Sequence, residues 1–194
     1  MDIISYFTDR TFIVYLLKFG LAFCFFYFGT LAVIGLSAPE GYYSSFVAHY
    51  LNYIDWLRSS ILYASRGLLS LLGYHSYVRD KYVLALDSGI SIRMVYTCLG
   101  YGVMSFWGAF IIANQGSWKA KLKWILFGWL MIWCINVIRI SLLLIVLTKH
   151  LSSPFGFDNH TWFNIASYIL IFGLIYFYHT FQKKVKARPP EVDD

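Results

Sequence analysis

Charged residues are scarce in this chain: Asp, Glu, Lys and Arg make up 13% of its 194 residues, roughly half the share of a soluble domain. With 59% of its residues hydrophobic, it is not an ordinary soluble globule, and it is too apolar to stay solvated as a disordered chain. Cysteine is scarce too. Cys24, Cys98 and Cys134 are odd in number and far apart, which excludes a disulfide framework and a paired-cysteine zinc site. There is no Gly-x-Ser-x-Gly elbow and no His-Glu-x-x-His helix, so serine-hydrolase and zincin chemistry have no carrier. His49, His75, His150 and His179 are scattered without ligand spacing. Gly100-Tyr101-Gly102 lacks the strand context of a dinucleotide loop. No internal repeat is present, as a transporter built from paired halves would show. Met1 to Arg10 lack the basic start of a signal peptide, and the apolar run after them is too long for one.

Acidic residues are the scarcer of the two charges, leaving a formal net charge of +6. A nucleic-acid partner would need that charge gathered on one face of soluble structure. Its placement points elsewhere. Apolar runs of membrane-crossing length occur at residues 11–36, 98–114, 122–148 and 161–181. Lys119, Lys121 and Lys123 lie between the second run and the first residues of the third, and Lys183, Lys184, Lys186 and Arg188 follow the fourth. The positive-inside rule puts both clusters in the cytoplasm. The expectation is therefore an all-α integral membrane protein with four spans and both termini inside. Residues 1–182 form its single membrane-embedded domain, and residues 183–194 form a cytoplasmic tail.

Between the first two spans, residues 44–72 carry Val47, Leu51, Ile54, Leu57, Ile61 and Leu68 at helical spacing. Ser45, His49, Asn52, Ser59 and Arg66 fall on the other side. This predicts an amphipathic helix on the outer membrane surface, with a tilted fifth span as the alternative. Asp55 and Arg58 read as an interfacial ion pair, or as a lining of the substrate entry. In residues 74–97, two β-prone runs flank Asp87-Ser88-Gly89, which predicts a small β-hairpin outside the lipid. Trp118, Trp124 and Trp162 suit interfacial anchors.

Three residues are candidates for chemistry. Arg139 lies inside the third span, where an arginine is costly unless paired or wetted, so it is functional by default. The plain alternative is a structural arginine capped by carbonyls or by Asn136. Cys98 opens the second span on the outer side, where a helix start favours the thiolate. His160 stands at the outer entry to the fourth span and titrates near neutrality. A thiol, an imidazole and a guanidinium make the minimum kit for acyl transfer through a thioester. No metal or cofactor is expected.

At these residues the chain resembles the exosortase/archaeosortase family of membrane-embedded, sortase-like transpeptidases. The family pattern is a Cys, a small residue and a Gly at a helix start, then Asn-x-x-Arg, then a His. This chain has Cys98-Leu99-Gly100, Asn136-x-x-Arg139 and His160 in that order. Pro39-Glu40, a surface helix ending Leu68-Leu69-Ser70-Leu71-Leu72-Gly73, and a short β region precede the cysteine. Where the family commonly has Glu-Ala-Cys-Ser-Gly, this chain has Tyr-Thr-Cys-Leu-Gly. It looks like a short, core-only form.

The resemblance implies a thiol transpeptidase or protease in the cytoplasmic (inner) membrane with its site facing outward. It implies secreted protein substrates bearing a C-terminal signal of short motif, transmembrane helix and basic tail, with membrane lipid as the other partner and no nucleic acid. Cys98 would be the nucleophile, His160 the acid and base, and Arg139 the oxyanion or thiolate partner, with Asn136 in support. The competing readings are a non-catalytic scaffold or assembly partner for envelope or exopolysaccharide export, and a small transporter binding an anion at Arg139.

Overall fold

The apolar run that opens the chain forms one helix, α1 (Arg10–Ser37, 28 residues), in a computed structural model that describes residues 10–39, 42–149 and 159–187. Two units divide the chain, Met1–His150 and Leu151–Asp194. At 1.5 Å per residue α1 is about 42 Å long, enough to cross ~30 Å of hydrocarbon. Leu17, Leu21, Phe25 and Phe28 stand exposed on it, and Thr30 is its buried residue. Such a surface is solvated by lipid rather than by water.

The predicted surface helix is divided. A π-helical turn, Val47–Leu51, is followed at Asn52 by α2 (Tyr53–Leu71). Asn52 leaves the helical region and its Oδ1 accepts the Asp55 N–H at 3.2 Å, the local bond that makes asparagine a helix starter. At the far end Gly73 takes φ +83, the Tyr74 N–H bonds to Leu69 O, and the Gly73 N–H bonds to Ser70 O. That is a Schellman stop, the physical reason the leucine run ends in glycine. The inner face of α2 is Ile54, Ile61, Leu62, Ser65 and Leu69, and it also contains Arg58. Trp56, Tyr63 and Arg66 face outward.

The predicted hairpin is a three-stranded antiparallel sheet: β1 (Ser76–Arg79), β2 (Val83–Leu86) and β3 (Ser91–Arg93), in that order. Asp87-Ser88-Gly89 turns β2 into β3 as expected, with Gly89 at φ +88 and Leu86 N–H bonded to Ile90 O. The additional turn joins β1 to β2 through Asp80 and Lys81, both at positive φ, closed by Tyr82 N–H to Arg79 O. Primed turns of this kind usually advertise themselves with Asn-Gly or Asp-Gly; Asp-Lys does not.

The second apolar run yields α3 (Tyr101–Ala113, 13 residues), about 20 Å long and shorter than the predicted span 98–114. Gly108 lets α1 approach: a Cβ there would stand 3.2 Å from the Phe26 ring. The third run yields α4 (Trp118–Thr148, 31 residues); α1 and α4 are long and apolar enough to cross a membrane. Trp107 locks α3 to α4 by donating its indole N–H to Trp124 O at 2.9 Å while its ring covers Gly128. Lys119, Lys121 and Lys123 ride on the first turns of α4, which begins at Trp118, four residues before the predicted span. Lys121 turns back and donates to Ile112 O at 2.8 Å, so its charge meets the carbonyl end of α3.

Where α2, the sheet and the C-terminal half of α4 meet, a core forms. Ile61, Leu62 and Leu69 of α2, Leu84 of β2, Leu99, and Ile140 and Leu144 of α4 are among its buried members. Ser65 donates to Val137 O and Ser141 to Ser65 O, so small polar residues let α2 lie close against α4. In the other unit, α5 (Asn159–Ala187) covers the fourth predicted span and continues through Lys183, Lys184 and Lys186, past the predicted start of the tail. Tyr168, Ile169, Phe172 and Tyr176 stand exposed on it.

Candidate functional site

Cys98 sits on a 3-10 turn, Tyr96–Leu99, that links the sheet to α3. Its N–H bonds to Val95 O at 3.0 Å, and its side chain is half-buried against the core. Leu99 beside it is wholly buried, which accounts for an apolar residue where the family commonly has serine. Gly100 then takes φ +74 and serves as the N-cap of α3. Left-handed backbone is what glycine tolerates and other residues resist, and here it ends the 3-10 turn and starts the helix. Cys98 therefore stands three residues ahead of α3, not on its first turn.

The Asn-x-x-Arg motif meets this turn directly. Asn136, buried on α4, donates its side-chain N–H to Leu99 O at 3.1 Å. Its amide lies so close to Gly100 that a Cβ there would stand 2.6 Å from Asn136 Nδ2. Glycine at 100 is thus required twice, by its φ and by the asparagine packed on it. Gly100→Ala is expected to cost about 1–3 kcal/mol of stability, read as a lower melting temperature of the solubilised protein; an unchanged value would refute this account of the motif.

Arg139 follows Asn136 by three residues, one turn along the same side of α4 and about 4.5 Å further on. It is 8% exposed, and its Nε has no hydrogen-bond partner among the described residues. A buried guanidinium with an unpaired N–H is held at a cost. His160 lies on the first turn of α5, in the separate unit, and its side chain is outside the described residues, as is that of Trp162. The structure thus brings Asn136 onto the turn that carries Cys98, with Arg139 one helical turn further along α4.

Sequence reasoning left Arg58 on the surface, and the structure buries it. It is 2% exposed, with Nη1 2.7 Å from Asp55 Oδ1. Its Cζ lies 4.6 Å from the ring centre of Tyr82 and 4.3 Å from that of Tyr96. The signal was available: Ile54, Arg58 and Ile61 are spaced i, i+4, i+7, so Arg58 belongs to the apolar face. Beside it a polar cavity of about 300 Å³ is lined by Asn52, Asp55, Ser59, Lys81 and Tyr82 among others. A second, apolar cavity of about 530 Å³ runs between α1, α2, α3 and α4, with Thr30, Tyr53, Tyr101, Met104 and Trp133 on its walls.

The family model described as transmembrane exosortase matches residues 6–182 of this chain. No curated protein and no solved structure matches it.

Proposed function

Because the chain belongs to the transmembrane exosortase family and is a membrane protein, we propose that it is a cysteine transpeptidase that trims C-terminal sorting signals from secreted proteins. The carrying observation is the bond between Asn136 and the turn of Cys98, with buried Arg139 one turn away. The reading places the protein in the cytoplasmic membrane, four spans deep, with Cys98 on the outer side. The substrate's own helix would reach the site laterally through the bilayer.

In this reading the Cys98 thiolate attacks a backbone carbonyl near the substrate's motif. Arg139 supplies positive charge where the carbonyl oxygen becomes an oxyanion, the interaction that strengthens most in the transition state. The C–N bond then breaks, and His160 delivers a proton to the departing amine. The secreted part remains as a thioester on Cys98. An acceptor amine, or water, attacks that thioester, loses its proton to His160 and frees the thiolate, which restores the starting state. Two moderate barriers replace one high one.

The thioester is the testable species. Hydroxylamine added to working membranes is expected to intercept it and release the trimmed substrate as a C-terminal hydroxamate, identified by mass spectrometry. Trimmed product carrying no hydroxamate, with no acyl group found on Cys98 in acid-quenched samples, would count against covalent catalysis.

A further inference from the structure

We propose that Arg58 is a positioning residue for Cys98, acting through the ring of Tyr96. The inference rests on the reading of Cys98 as the nucleophile, and it extends the site to a part of the chain that the motifs do not reach.

Three elements converge on the guanidinium. Arg58 comes from α2, Tyr82 from the turn between β1 and β2, and Tyr96 from the first position of the 3-10 turn that carries Cys98. Backbone links reinforce the meeting, since the Met94 N–H bonds to Tyr82 O at 2.7 Å and the Cys98 N–H bonds to Val95 O. Arg58 is fixed in its turn by Asp55, and Asp55 by Asn52, whose Nδ2 donates to Asp55 Oδ2 at 2.8 Å. The planar, weakly hydrated guanidinium is the cation best suited to lie on aromatic faces. A charge that is 2% exposed is costly to bury unless its surroundings hold it; two rings and one carboxylate hold this one, while its Nε has no hydrogen-bond partner among the described residues.

The Cys98 turn is therefore fastened from two sides. Asn136 holds the carbonyl of Leu99, one residue after the cysteine. Arg58 holds the ring of Tyr96, two residues before it. Removing the Arg58 contact should leave the helices packed through Ile61, Leu62 and Leu69 while letting the turn open and expose the thiol.

The test follows Cys98 itself, so it does not need the natural substrate. In the full chain with Cys24 and Cys134 changed to alanine, the rate of Cys98 modification by N-ethylmaleimide is measured beside the melting temperature. Loss of a desolvated cation–π contact should raise the open fraction, and so the alkylation rate, roughly tenfold or more in Arg58→Met and in Tyr96→Leu. Tyr96→Phe keeps the ring face and should stay within about twofold of the parent. Arg58→Met that melts earlier but alkylates at the parental rate would show a merely structural arginine and overturn the proposal. So would Tyr96→Phe reacting as fast as Tyr96→Leu. Should Arg58→Met fail to accumulate, the Tyr96 pair decides by the same criterion. If Cys98→Ala left substrate trimming intact, the transpeptidase reading would fall, while the alkylation rates would still report whether Arg58 sets the turn.

Discussion

Replacing Cys98 with alanine is expected to stop substrate trimming, lowering it at least about 10³-fold, to background, because the thiol that forms the covalent bond is gone and a hydroxyl such as that of Thr97 is a far weaker nucleophile. Its neighbours there are Thr97, Leu99 and Gly100. The fold should survive. Cys98 is half-buried against the core, and its removal deletes one sulfur while Leu99 stays fully buried in it. A deletion of that size in a partly exposed position costs on the order of 1 kcal/mol. Immunoblots for untrimmed substrate, with a parallel blot for the enzyme in membranes, make the measurement. Parental trimming by the alanine protein would leave a scaffold as the better description.

Arg139 carries the second large effect, and the informative variant is Arg139→Met. Removing one oxyanion partner usually costs 10²–10³-fold in turnover, and trimming is expected to fall by about that much. Stability should move the other way or not at all. Arg139 is buried with its Nε unpaired among the described residues, and replacing a poorly compensated buried charge with an apolar chain of similar volume is often neutral or stabilising. An arginine kept only for structure would behave oppositely, with melting temperature and activity falling together. Trimming rate and melting temperature, measured on the same preparation, separate the two.

Much of this was legible in the sequence, for reasons that can be stated residue by residue. α1 and α4 coincide with runs whose apolar length leaves no other fold in lipid. Asp87-Ser88-Gly89 announced its turn, because glycine at positive φ is the cheapest way to reverse a strand. Asp80-Lys81 performs the same reversal with residues that seldom adopt positive φ, so β1 escaped notice as a strand of its own. The break at Asn52 was hidden within a periodic apolar pattern that runs across it. Arg58 was hidden by its charge, although its register places it between Ile54 and Ile61. Cys98-Leu99-Gly100 and Asn136-x-x-Arg139 could be read as two motifs, but their contact could not. It depends on one side-chain amide reaching a carbonyl 37 positions away in sequence.

The brevity of α3 has a consequence for the lipid around it. Its 13 residues span about 20 Å, some 10 Å less than a typical hydrocarbon layer. Bound along its length to α1 and α4, it cannot correct the shortfall by tilting freely. On the four-span reading proposed above, either the bilayer thins beside it or one end is drawn below the headgroups, and the turn bearing Cys98 is attached to one of those ends. The depth of the thiol is then a property shared between protein and membrane, and lipids of different acyl length would set it differently.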